Sequence, residues 1–316
     1  MKKRYSGYLA IILFICLSVN VSAQKKVLYV DSYHEGYEWS DGITKGIKDN
    51  LKSEKVELKV FRMDTKNNPG DSFKKSAAEK AIKMIESFNP DIVIASDDNA
   101  SKYLIAPYYK DKKLPFVFCG VNWDASGYGF PCSNVTGILE VALIPQLTAQ
   151  LKNFAKGDKI AYLSGDDLTA RKEAENYKSK FNLKIEEVYV KSFSDWKKNY
   201  KKLQTETDMI IIGNNASIKD WNEEEGKTFV ESNTLVPTGT IYQWMTPFSL
   251  VGLTILPEEH GEWAAKTALK ILGGTPPNKI PLAKNKRGKL FVNLKIAKPA
   301  KFLVKPALLK NATIIK

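Results

Sequence analysis

Two doubly wound α/β lobes joined by a hinge are the fold class this sequence predicts, and three observations predict it. From Lys26 onward, short β-rich apolar runs alternate with segments of helical periodicity, the pattern of a mostly parallel sheet covered by helices on both faces. The same plan occurs twice, before and after the stretch Thr136-Gly137-Ile138-Leu139-Glu140. At 316 residues the chain exceeds what one hydrophobic core ordinarily serves, so two cores are expected.

The first residues form a separate element. Met1-Lys2-Lys3-Arg4 precede an apolar stretch from Tyr8 to Leu17 and then Val21-Ser22-Ala23 ahead of Gln24, which is the order of a secretory signal. Residues 1–23 are therefore expected to be a signal peptide cleaved after Ala23, and the remainder to reside in the periplasm or another extracytoplasmic space. The apolar stretch falls short of the roughly 20 residues a permanent membrane helix needs. Lipid attachment at Cys16 is the competing reading, but bulky Leu13-Phe14-Ile15 occupies the place where a small residue is expected before a modified cysteine.

Strands are expected at 27–30, 58–61, 92–95 and 116–119, and again at 160–163, 185–190, 209–212 and 237–241. Between them, Ile43, Ile47 and Leu51 form one helical stripe, and Phe73, Ala77, Ala81, Ile85 and Phe88 form another. The second half continues with Leu147, Leu151 and Phe154, then Ala174, Tyr177 and Phe181, then Trp196, Tyr200 and Leu203. These stripes are read as core. A last helix, 257–272, carries Ala265, Ala268, Leu269 and Leu272 on one face before Gly273-Gly274-Thr275-Pro276-Pro277 breaks it.

The formal charge of +13 is read as a solvated lysine coat. Its densest runs, Lys197-Lys198 with Lys201-Lys202 and the segment 284–289, hold no repeated aromatic interleaving and no helix-turn-helix or finger spacing, so no nucleic-acid partner is expected. Of the cysteines beyond the signal, Cys119 and Cys132 would meet an oxidising compartment. A disulfide between them and an unbridged pair, one in a strand and one in a loop, are both open readings.

Ligands of open α/β sheets sit beyond the carboxyl ends of the strands, where loops converge. That rule selects Ser32, Tyr33, His34 and Trp39 after the first strand, Asp97, Asp98 and Asn99 after the third, and Asn122 and Trp123 after the fourth. In the second half it selects Asp166, Asn214, Tyr242 and Trp244. Hydroxyls, amides, carboxylates and large rings with little cationic charge suit a zwitterion. Asp97, Asp98 or Asp166 would pair with its ammonium, N–H groups near Ser101 or Thr169 would meet its carboxylate, and Tyr33, Trp39, Trp123 or Trp244 would cover an apolar part. Catalysis is not expected. Only two histidines are present, no serine elbow, HExxH, Walker loop or GxGxxG accompanies them, and His260 in Glu258-Glu259-His260 reads as the solvated start of a helix. No cofactor or metal is expected.

Several segments resemble the ABC-transporter substrate-binding family that includes tryptophan- and tyrosine-type binding proteins. They are Val30-Asp31-Ser32-Tyr33-His34 with Trp39-Ser40-Asp41-Gly42-Ile43, the run 90–100 from Pro90 to Ala100, 115–122 from Pro115 to Asn122, Asn134-Val135-Thr136-Gly137, and Leu290-Phe291-Val292-Asn293-Leu294-Lys295-Ile296-Ala297. The resemblance implies the type I periplasmic-binding-protein fold: two Rossmann-like lobes, three crossings between them and closure on a ligand. The expected division is 24–140 plus about 243–275 for the N-terminal lobe, and 141–242 plus about 276–316 for the C-terminal lobe. The implied partners are a small solute, an ABC permease and its ATPase, with the chain acting as a monomer. The motifs around Tyr33-His34 and Ser96 to Ala100 are also similar to a branch that serves as external sensor of histidine kinases or cyclases, so a sensor kinase is the alternative partner.

Overall fold

The structure, a computed structural model, describes residues 24–316. The expected signal peptide, its cleavage site and Cys16 lie outside the described residues. The first half runs β1 (Lys25–Asp31), α1 (Glu38–Leu51), β2 (Val56–Arg62), α2 (Asp71–Phe88), β3 (Ile92–Ser96), α3 (Asp97–Ala100), β4 (Phe116–Asn122) and β5 (Val135–Glu140). A π-helical segment, Ser101–Tyr109, continues α3. Val27–Val30 and all of β3 are buried, as strands covered on both faces must be, and this is why they read as continuous apolar runs.

The second half runs α4 (Ile144–Leu151), β6 (Ile160–Gly165), α5 (Leu168–Phe181), β7 (Ile185–Val190), α6 (Phe193–Glu206), β8 (Met209–Ile212), α7 (Glu223–Asn233), β9 (Thr238–Thr240) and β10 (Val251–Ile255). Then come α8 (Pro257–Leu272), β11 (Ala283–Lys284), β12 (Gly288–Asn293) and β13 (Ala312–Ile315). The first sheet has the order β11-β5-β4-β3-β1-β2 and is parallel throughout. The second has the order β13-β12-β10-β9-β8-β6-β7, with β10 and β12 antiparallel.

Helices α1 and α8 cover one face of the first sheet: Ile43, Ile47 and Leu51 meet Ala264, Ala265 and Ala268 over Val27, Tyr29 and Ile94. Their backbones nearly touch, because a Cβ on Gly261 would stand 2.1 Å from the Ile43 carbonyl oxygen. The opposite face packs against α2 and the π-helical segment. The second lobe has its own core, built from the stripes of α4, α5 and α6.

The chain passes between the sheets after β5, after β10 and after β11. These exchange points shift the expected boundaries. Residues 243–255 stay with the second sheet, where Met245, Phe248, Leu250 and Val251 are core and β10 pairs with β9 and β12. The return at Lys284, past position 276, follows from the pairing of β11 with β5.

One open reading is resolved and one expectation is corrected. Cys119 and Cys132 are both free thiols: Cys119 belongs to the core on the α1/α8 face of the first sheet, whereas Cys132 packs against the opposite face. His260 is fully buried in α8, its ring 5.2 Å from that of Trp39. Neither imidazole nitrogen has a partner among the described residues, and burial lowers its pKa to about 3.

Candidate functional site

The carboxyl ends of both sheets open onto one cavity of about 630 Å3, within the range of small-ligand sites. The first lobe contributes Tyr37, Glu38 and Trp39 at the start of α1, Asn122 and Trp123 after β4, and Glu140 at the end of β5. The second contributes Glu173 from α5, Tyr242, Gln243 and Trp244 after β9, and Thr254 and Ile255 from β10. Of the residues selected from sequence, Trp39, Asn122, Trp123, Tyr242 and Trp244 therefore line the cavity.

The other selected residues do not line it. Several hold its walls. Trp39 Nε1 donates to Asp97 Oδ1 at 2.8 Å, so the carboxyl of buried Asp97 sits behind the indole. Asp97 Oδ2 is buried with no hydrogen-bonding partner, and burial, with the Glu140 charge second, pushes this carboxyl well above the usual carboxylate range. Asp97 adopts φ +69 and Gly120 φ +72; a Cβ on Gly120 would lie 2.8 Å from Asp97 Oδ1 and 3.3 Å from the Trp39 ring. This left-handed backbone in a bulged strand is local strain of the kind that concentrates at functional sites.

Asp98 accepts from Asn122 Nδ2 at 2.8 Å and from the Tyr128 hydroxyl at 2.7 Å, which fixes Asn122 against the cavity. Ser32 Oγ donates to the Ser96 carbonyl and accepts from the Ala100 N–H. Asn99 donates to Thr65 Oγ1. Both tie neighbouring loops together. The Tyr33 ring stands edge-on to Tyr37 at 5.4 Å, and burial pushes its hydroxyl pKa up. His34 faces Asp64 at 3.6 Å.

Asp166 is held by Arg171 at 2.7 Å, with Lys191 at 3.7 Å. Arg171 lowers the pKa of that carboxyl, so Asp166 is already neutralised on the lobe surface. Asn214 is buried and its Oδ1 accepts from the Ala216 N–H at 3.1 Å.

Three cavity carboxylates, Glu38, Glu140 and Glu173, were not selected from sequence. Glu140 is half-buried, and burial followed by the Asp98 charge pushes its carboxyl up to about 8. Glu173 accepts from the Tyr162 hydroxyl at 3.3 Å and from the Tyr242 hydroxyl. Burial pushes it up as well, and the hydroxyl donors oppose that rise. The rule that led to Asn122 also reaches Glu140, which closes β5 at its carboxyl end; read as linker, it was passed over. Glu173 lies inside a helix and offered no such signal.

The rings form two groups. Tyr242 and Trp244 lie 4.7 Å apart between centroids. Trp123, from the first lobe, packs on Tyr177 and Phe181 of α5 at 6.2 and 5.9 Å and so bridges the lobes beside the cavity. Among the described residues no cluster of three or more His, Cys, Asp or Glu could hold a metal ion.

Residues 37–316 match the family described as ABC transporter substrate binding protein. The chain belongs to that family. No curated protein matches it significantly. Among solved structures, it is similar to a ligand-free, open substrate binding protein with adhesive properties from Clostridium difficile, with a TM-score of 0.71 at 17% identity over 92% of this chain and 99% of the other.

It is also similar to an ABC domain in complex with L-Trp from Streptococcus pneumonia, with a TM-score of 0.56 at 20% identity over 93% and 100%. A periplasmic ribose ABC transporter from Conexibacter woesei gives 0.54 at 12% over 92% and 98%. At these identities the likeness is one of fold. The type I periplasmic-binding-protein architecture expected from the sequence is the one observed, and the family role is solute binding. No helix among the described residues is long and apolar enough to cross a membrane.

Proposed function

We propose that this protein captures a small amino-acid-like solute outside the cytoplasmic membrane and delivers it to an ABC permease and its ATPase. One observation carries the reading: a single cavity is walled by strand ends of both lobes, so contacts to both walls reach full strength only when the lobes close. Ligand then shifts the population toward the closed form by its differential affinity for that form. Family membership supports the role. The N-terminal segment 1–23 supports export, and the chain is read as acting alone, as a monomer.

A thermal-shift panel on the chain from Gln24 tests the proposal, with amino acids, amines, nucleosides and sugars as probes. The structural neighbour with L-Trp puts aromatic amino acids and their derivatives first. A ligand at 100 times its dissociation constant adds about 2.7 kcal/mol, which is about 5–10 °C in midpoint at roughly 2–4 °C per kcal/mol. A shift that disappears in Trp39→Ala and Tyr242→Ala is the expected result. A panel without any shift would sink the proposal.

A further inference from the structure

We infer that the cavity selects a solute of net positive charge, an organic cation, over the zwitterion or anion of the same shape. The inference rests on the capture reading above and narrows its ligand to amino-acid-like compounds whose carboxylate is missing, masked or outweighed by a second amine.

The first support is that the titratable carboxyls of the walls are acids, which a bound cation draws into the ionised form. Glu38, Glu140 and Glu173 line the cavity, and among the described residues no lysine, arginine or histidine does. Lys45 and Lys289 border an adjoining depression; Lys45 is taken up by Asp49, Lys289 lies over the Phe291 ring at 5.1 Å, and Lys66 lies over the Tyr37 ring at 5.0 Å. Arg171, on the same helix as Glu173, is held by Asp166 and stacked on the Tyr189 ring at 4.3 Å. The rings of Trp39, Trp123, Tyr242 and Trp244 supply electron-rich faces, which attract organic cations most strongly where water is excluded.

The second support is the state of the helix N-termini, where a ligand carboxylate would otherwise dock. Helix α1 carries Glu38 and Asp41 in its first turn, and Asp41 already accepts from the Gly36 N–H. Helix α5 is capped by Asp167, which accepts from the Ala170 N–H at 2.8 Å. Helix α8 begins with Pro257, which has no N–H, and carries Glu258 and Glu259 in its first turn. The α5 terminus is thus occupied by the protein's own acid, and the acids in the first turns of α1 and α8 oppose a second carboxylate there. A carboxylate brought into the cavity would lose water beside Glu140 and meet no cationic side chain among the described lining residues.

The third support is Glu140 itself. Only burial and the Asp98 charge set its titration, and no hydrogen bond opposes them. A ligand cation is the partner that would relieve both.

Isothermal titration at pH 8 with two matched pairs tests the inference: tryptamine against tryptophan, and choline against glycine betaine. The cation of a pair is expected to bind at least ten-fold more tightly than its zwitterion. Glu140→Gln should weaken that cation at least ten-fold, and exposed Glu38→Gln, which leaves the interior untouched, should weaken it several-fold. Tryptophan or betaine binding as tightly as its partner overturns cation selection and leaves solute capture standing. So does a sugar or nucleoside that binds when neither cation does. No binding by any amine, amino acid, sugar or nucleoside overturns both readings together.

Discussion

Replacing Glu140 by glutamine should raise stability, and the gain should depend on pH in a defined window. In the folded protein the carboxyl titrates at about 8 against 4.5 for an unperturbed glutamate. The native state therefore keeps a proton that the unfolded chain releases from about pH 4.5 upward. Its contribution to stability is fully present below 4.5 and is lost as pH rises through about 8. The gap between the two values is worth at most about 5 kcal/mol at 1.36 kcal/mol per pH unit, and water reaching the open cavity reduces this to on the order of 2 kcal/mol. Glutamine keeps the shape and carries no charge, so Glu140→Gln should match the parent near pH 4.5 and exceed it above pH 8. At roughly 2–4 °C per kcal/mol, the expected excess is about 4–8 °C. Thermal unfolding followed by circular dichroism from pH 4.5 to 9 measures the difference between the two proteins, which cancels every other titration. A difference that is constant across the series would refute the argument.

Trp39→Phe retains a ring but leaves Asp97 Oδ1 without its donor, and should cost about 1–3 kcal/mol in urea unfolding. Gly120→Ala places a methyl group at φ +72 against Asp97; the left-handed backbone alone costs about 1–2 kcal/mol, and a lower urea midpoint should show it. The imidazole of His260 is lowered to about 3, so the folded state resists a proton that the unfolded chain accepts below about 6.5. Stability from this group is present above 6.5 and lost as pH falls toward 3, and His260→Leu should flatten the acid limb of a pH–stability profile. Buried Cys119 should react with a thiol reagent only after unfolding, whereas Cys132 should react in the native protein, and a reductant should leave the melting temperature unchanged.

The central strands of both sheets were legible because a parallel strand buried on both faces is a continuous apolar run, as Ile92–Ser96 shows. Strand β10 was missed because Gly252 and Thr254 interrupt its run. Helix α7 was missed because only Gly226 and Val230 are buried among its eleven residues, too few to mark a stripe. At the cavity, the strand-end rule reached Trp39, Asn122, Trp123, Tyr242 and Trp244. It could not tell these from Asp97, Asn99 or Ser32, whose positions in the chain are equivalent. Whether a polar side chain faces ligand or braces a loop depends on partners distant in sequence, such as the indole of Trp39 for Asp97 and Thr65 for Asn99.

The three crossings also set the order in which the polypeptide can mature. Helix α8 and strand β11 complete the first lobe, yet they are synthesised after all of β6 to β10. Until residue 284 has left the ribosome, the apolar face of α1 lacks its cover and the first sheet lacks its edge. Consecutive domains ordinarily fold one after another as they emerge, but here the earlier lobe must wait for most of the later one. That interleaving acts as a timer, holding the first lobe loose until residue 284 has been made.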